Sequence, residues 1–150
     1  MERSVYHMSV AWGDCDPAGI VFFPNYLRWM DESALHLFDT IGLGWKTLRQ
    51  QYNAPGLPLA RMQTDFIYPA TFGDSLKIVS VISRVRSRSI SLRHEVRNAD
   101  QIIVIGSEER VWSTGGPIVE GKIKPSRFPD DILSLLRASC VDAEERDDDG

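Results

Sequence analysis

Three side chains that can act as reagents crowd into one short stretch, Gly13-Asp14-Cys15-Asp16-Pro17-Ala18-Gly19-Ile20-Val21-Phe22-Phe23-Pro24-Asn25-Tyr26. Two carboxylates offer an attacking oxygen or a general base, and a thiol offers a nucleophile. The stretch leads into a predicted helix, whose N-terminus presents free N–H groups and a partial positive charge to any developing oxyanion. An acid, a glycine-rich approach and an oxyanion site are what acyl transfer requires. The competing reading is structural, because aspartates beside glycine and proline also fold back onto their own backbone in Asx turns. Spacing alone leaves both readings open for Asp14 and Asp16. Cys15 is the weaker nucleophile: two flanking carboxylates oppose a thiolate, and no histidine lies nearby in sequence to activate it.

Such a stretch works only if regular elements hold it. Residues 4–12 alternate, with Tyr6, Met8, Val10 and Trp12 on one side, which predicts a half-buried strand. From Tyr26 the apolar or small residues Trp29, Met30, Ser33, Ala34, Leu37, Phe38 and Ile41 follow helical spacing, ending before Gly42. Pro24 suits the first turn, where a missing N–H costs nothing. A shorter helix is predicted around Trp45, Leu48 and Tyr52, closed by Pro55, Gly56 and Pro58.

The period then changes to two. Strands are predicted over 59–68, with Met62, Thr64, Phe66 and Tyr68 on one face, over 75–85, over 89–97, and from Gln101 to about Ser113. His94 falls on the apolar face of its strand with Ile90, Leu92 and Val96, the position of a satisfied core histidine. Gly115-Gly116-Pro117 ends the last strand, and a short helix follows Pro129. One strand, one long helix and at least four further strands imply an α+β domain, an antiparallel sheet packed on one dominant helix.

Composition narrows the function classes. A chain of 150 residues with 43% hydrophobic content supports one sizeable core. The formal net charge is −4, but the last ten residues, VDAEERDDDG, carry −5 of it, so the other 140 sum to +1. That balance argues against nucleic acid as a partner, and residues 141–150 read as an acidic disordered tail after a domain over 1–140. No apolar run reaches membrane-spanning length, the N-terminus lacks a secretory pattern, and Cys15 and Cys140 form no disulfide framework. A cytoplasmic protein is expected. His7, His36 and His94 show no metal-ligand spacing, so no metal is expected. Arg84, Arg86 and Arg88 recur at every second residue, which suits either a charged sheet edge or a phosphate clamp, and Lys122, Lys124 and Arg127 are further basic candidates.

The residues GDCDPAGIVFFPNY, running on into YLRWMDES, resemble the hotdog-fold thioesterases, and within them the 4-hydroxybenzoyl-coenzyme A thioesterase family. The likeness continues through PGLP, FGDSLKI and RVRSRSISLRHEV, covering residues 4 to about 113. It implies a sheet of about five strands wrapped around one long helix, and hydrolysis of an acyl-CoA by water without a cofactor. It implies that Asp16 is the nucleophile or general base and that the Phe23 N–H polarises the thioester carbonyl. It places Tyr26 and Asp31 at the substrate, Asp31 reading a phenolic hydroxyl, and Arg86 and Arg88 on the coenzyme A phosphates. It also implies a homotetramer built from dimers, with active sites between subunits. The sequence departs from the family's pattern at Phe22-Phe23 and Leu27, which are less polar than their counterparts. A short-chain aliphatic acyl-CoA or acyl-carrier-protein thioesterase and a non-catalytic acyl-CoA binding module are the rival expectations.

Overall fold

A computed structural model of the chain describes residues 3–114 and 123–141. The acidic stretch 142–150, the Gly115-Gly116-Pro117 stop and Lys122 lie outside the described residues. The elements run β1 (Arg3–Ser9), α1 (Pro24–Thr40), α2 (Trp45–Tyr52), β2 (Leu59–Phe66), β3 (Ser75–Val85), β4 (Ser89–Asn98), β5 (Gln101–Val111) and α3 (Asp130–Ser139). The strands form one antiparallel sheet in the order β1-β3-β4-β5-β2, so β1 and β2 are its edges. This is the expected α+β architecture of five strands around one long helix.

The helical spacing of the long segment translates directly into burial. Tyr26, Trp29, Met30, Ser33, Ala34, Leu37 and Phe38 of α1 are buried, each large apolar side chain contributing about 1.5–3 kcal/mol. They divide between two apolar clusters. Trp29 and Met30 pack with Leu76, Ile78, Val96 and Val104, while Leu37 and Phe38 pack with Ile82, Leu92, Trp112 and residues of α3. Gly106 of β5 lets the helix come close. A Cβ there would lie 2.6 Å from Met30 Sδ, an approach no larger residue tolerates without displacing that side chain.

Between the clusters runs a buried polar line. Ser33 Oγ of α1 is 2.7 Å from Ser80 Oγ of β3, which is 2.6 Å from Nδ1 of the fully buried His94 on β4. His94 Nε2 lies 3.4 Å from Glu108 Oε1 of β5, and Arg110 Nε donates to that oxygen at 2.6 Å. His94 is thus a core histidine, as its strand position suggested, but only its Nδ1 is hydrogen-bonded; Nε2 is buried beside Glu108 without a hydrogen-bond partner among the described residues.

The first strand is shorter than its alternation implies. β1 stops at Ser9, and Trp12–Asp14 form a single 3-10 turn. Asp14 Oδ2 accepts the Ala11 N–H at 2.8 Å, which ends the extended backbone and swings Trp12 outward, where it is 78% exposed. Val10 keeps its expected burial. The strand predicted over 59–68 ends at Phe66, and Phe66 and Tyr68, predicted on one face with Met62 and Thr64, are about half exposed, because β2 is an edge and the chain leaves the sheet after Phe66.

Burial by itself raises the Glu108 carboxyl, but His94 and Arg110 outweigh it and hold the group below its ordinary value of 4.5. A lowered folded value contributes stability above the ordinary carboxylate range, and that contribution is lost as pH falls through the folded value. Glu108→Gln is therefore expected to cost about 3–5 kcal/mol at about pH 7, with the gap to wild type narrowing at about pH 3. Urea melts at both pH values check this; a gap independent of pH would contradict it.

Candidate active site

The opening stretch folds into a small hairpin. Cys15 bridges Val21, and the Asp16 N–H donates to Ile20 O at 2.9 Å, leaving Pro17-Ala18-Gly19 as the loop. The Gly19 N–H returns to Asp16 O at 2.9 Å, and Gly19 has φ of +81°, the left-handed residue that closes a three-residue hairpin loop. Sequence order follows this geometry: aspartate opens the turn, proline supplies its fixed φ and glycine takes the positive φ.

The two aspartates then separate in role. Asp14 is tied on every side, with Oδ2 on Ala11 N and Oδ1 3.5 Å from Arg28, while its carbonyl accepts from Phe22 N at 2.8 Å and Asn25 Nδ2 at 2.9 Å. Asp16 makes one Asx bond, Oδ1 accepting the Ala18 N–H at 2.8 Å. Its other oxygen has no hydrogen-bond partner among the described residues. Cys15 is half-buried, its thiol 3.8 Å from the Ala11 carbonyl, and it packs beside the core rather than toward the loop surface.

Among the described residues, the mouth of α1 offers a single free donor. Pro24 has no N–H, and those of Asn25 and Tyr26 already turn back onto the carbonyls of Phe22 and Phe23 at 3.0 and 3.1 Å. The Phe23 N–H has no acceptor among the described residues, so the positive end of the helix converges on it. The ladder pairs Asp16 with Ile20 and Asp14 with Phe22, which sets Phe23 about 7–10 Å from Asp16 along the strands. A carbonyl bonded to that N–H and approached by an aspartate oxygen fills such a gap, with each contact taking about 3 Å.

Aromatic side chains border the loop. Phe22, Phe23 and Phe66 are each at least 50% exposed, with Phe23 ring centroids 5.8 Å from Phe22 and 5.9 Å from Phe66. Tyr26 stands behind them. It is buried, its ring 5.9 Å from Phe66, and its hydroxyl accepts the Ala70 N–H at 3.3 Å, anchoring the chain between β2 and β3. Burial raises the Tyr26 hydroxyl above its usual range, leaving it a neutral packing group.

Asp31 lies on the exposed stripe of α1 with Phe23 and Leu27, about 12 Å along the axis from Phe23. Its Oδ1 accepts from Arg110 Nη2 at 2.7 Å. Arg110 and Glu108 escaped the sequence reading. Their signal was present, two opposite charges at alternate positions on the inward face of a strand. Arg86 and Arg88 sit in the turn between β3 and β4, and the length of β3 separates them from the Asp16 loop by about 30 Å. The chain therefore brings Asp16, Phe23 and the aromatic wall together at one end, with Asp31 along the helix, and keeps the two arginines at the other end. Arg86 pairs with Glu109 at 3.5 Å, Arg88 is exposed, and Arg127 pairs with Asp130 at 3.3 Å. Among the described residues no three histidine, cysteine, aspartate or glutamate side chains are grouped as metal ligands.

A five-strand antiparallel sheet around one long helix is the architecture of the hotdog-type thioesterases. Residues 10–136 match the family model described as the thioesterase-like superfamily, and the chain belongs to that family. It is 33% identical over 120 residues to the 4-hydroxybenzoyl-CoA thioesterase of Pseudomonas sp. strain CBS-3, covering 75% of this chain and 85% of that protein. The solved structure of that enzyme aligns with a TM-score of 0.80, covering 90% of this chain and 99% of that one at 28% identity. A gentisyl-coenzyme A thioesterase structure aligns at 32% identity and a TM-score of 0.74, covering 85% and 98%. A 1,4-dihydroxy-2-naphthoyl-CoA hydrolase of Synechococcus sp. strain WH7803 is 27% identical over 138 residues, covering 88% and 87%.

The two aspartates are distinguishable by stability. Asp14→Ala removes the Ala11 acceptor and is expected to cost about 1 kcal/mol. Asp16→Asn keeps an oxygen for Ala18 and is expected to stay within about 0.5 kcal/mol of wild type. Thermal melts of both variants check the contrast, and equal losses would contradict it.

Proposed function

We propose that this acyl-CoA thioesterase hydrolyses a hydroxylated aromatic acyl-CoA, with 4-hydroxybenzoyl-CoA as the representative substrate. The observation that carries the reading is that, among the described residues, the Phe23 N–H at the mouth of α1 has no acceptor and Asp16 in the adjoining turn keeps one carboxylate oxygen unengaged. The thioester carbonyl binds the Phe23 N–H. Asp16 attacks the carbonyl carbon or activates the water that does; the C–S bond breaks, and coenzyme A leaves as the thiol once protonated, with water supplying the acid's new oxygen. The developing oxyanion is held by an oriented backbone dipole that needs no reorganisation.

Substrate class follows from the next turns of the helix. Phe22, Phe23 and Phe66 supply flat apolar surface for a ring, backed by Tyr26. Of the roughly 12 Å between Phe23 and Asp31, a hydrogen bond at each end takes about 3 Å. The remainder matches a benzoyl group from its carbonyl carbon to a far-side hydroxyl, so Asp31 accepts that hydroxyl. The three relatives described above all carry names with hydroxylated aromatic acyl groups, which supports the same class.

The distance to Arg86 and Arg88 favours an assembly in which another copy presents these arginines to the coenzyme A phosphates. The exposed aromatic patch and the open edge of β2 are surfaces a second copy would cover, and we read the protein as a homotetramer built from dimers. The spacing of Cys15 and Cys140, which suggests no disulfide framework, is in keeping with a cytoplasmic setting.

Asp16→Asn is expected to lower kcat on 4-hydroxybenzoyl-CoA by about 10²–10⁴-fold. Activity within a few-fold of wild type would remove Asp16 from the mechanism. On a panel of thioesters, aromatic substrates are expected to turn over faster than short-chain aliphatic acyl-CoA or acyl-carrier-protein substrates, and the reverse order would overturn the substrate class. Light scattering at micromolar concentration is expected to give an oligomer; a monomer would contradict the assembly.

A further inference from the structure

Arg110 is a buried guanidinium with every nitrogen committed. Its side chain is 6% exposed, with Nε on Glu108 Oε1 at 2.6 Å, Nη1 on the Leu57 carbonyl at 3.1 Å and Nη2 on Asp31 Oδ1 at 2.7 Å. The Phe38 ring lies 5.7 Å from its Cζ. Glu108 Oε1 lies in turn 3.4 Å from His94 Nε2, His94 Nδ1 is 2.6 Å from Ser80 Oγ, and Ser80 Oγ is 2.7 Å from Ser33 Oγ of the same helix that carries Asp31. The line starts and ends on α1, so Arg110 cannot shift without disturbing three strands.

Asp31 has the opposite character, its side chain being 57% exposed. An exposed aspartate paired with a mobile partner gains little, because both chains lose rotamer freedom. Here the partner is already immobile, and its forked geometry fixes the carboxylate in direction as well as position. With Oδ1 taken, Oδ2 is left without a partner among the described residues, on the stripe shared with Phe23 and Leu27.

We propose that Arg110 is a positioning residue for substrate selection: it holds the Asp31 carboxylate so that its second oxygen accepts the hydroxyl of the aromatic acyl group. The inference rests on the reading of the acyl group given above. Arg110 does not touch the substrate; it acts through Asp31, and Glu108 with His94 keeps it in place.

The readout is the ratio of kcat/KM for 4-hydroxybenzoyl-CoA to that for benzoyl-CoA, which lacks the hydroxyl. A role in folding alone lowers both and leaves the ratio unchanged. Asp31→Asn is expected to lower the ratio by about 10- to 100-fold, the worth of a hydrogen bond to a charged group. Arg110→Lys, which keeps the charge and loses the fork, is expected to lower it to a similar extent, with the Asp31→Asn/Arg110→Lys pair no lower than either alone. Glu108→Gln/Arg110→Gln removes both buried charges together and serves if the lysine variant does not fold. A lowered ratio in Asp31→Asn with an unchanged ratio in the Arg110 variants overturns the role of Arg110 and leaves the substrate reading standing. An unchanged ratio in Asp31→Asn overturns the reading of Asp31, and this inference with it.

Discussion

The seating of α1 on the sheet is set by the buried line from Ser33 through Ser80, His94, Glu108 and Arg110 to Asp31. Apolar packing drives the helix onto the sheet but is not directional, and an apolar face tolerates more than one offset. Polar partners do not. Sliding the helix by a turn would strand Ser80 or Arg110 in an interior where an unmet hydrogen bond costs about 1–3 kcal/mol and an uncompensated charge more. The apolar clusters on either side of the line supply the burial that offsets its desolvation.

Register at the middle of α1 becomes position at its mouth. Because a helix is stiff, fixing Ser33 and Asp31 also fixes Phe23, two turns and more toward the N-terminus. Asn25 and Asp14 then join that mouth to the hairpin bearing Asp16. The proline at the start of α1 and the back-turned amides of Asn25 and Tyr26 leave Phe23 as the free donor. Local chemistry thus selects the donor, and the buried line determines where it points.

Much of the fold was legible. The helical spacing from Tyr26 to Phe38 and the alternation of β3 and β4 are periodic signals that coincide with what is buried. The misreadings fall where periodicity meets a competing local bond: Trp12 continues the alternation of β1, yet Asp14 caps Ala11 and turns the chain. At the site, the composition of Asp16-Pro17-Ala18-Gly19 left a structural turn and a reagent both open. The turn is present, and its single Asx bond leaves the other Asp16 oxygen without a partner among the described residues. Asp14 shows why the spacing of the two acids could not separate them. Its partners, Ala11, Phe22, Asn25 and Arg28, come from both sides of it along the chain.

Alone, the sequence determined the elements, the tight turn, the proline-led helix start and the family likeness, because each depends on residues within a turn or a strand of one another. Tertiary structure decided which charges meet. Asp31 and Arg110 are 79 positions apart, and no local period joins them. It also decided that Arg86 and Arg88 stand a full strand from Asp16. Strand length and sheet direction place residues in space, and neither is encoded in the spacing of any motif.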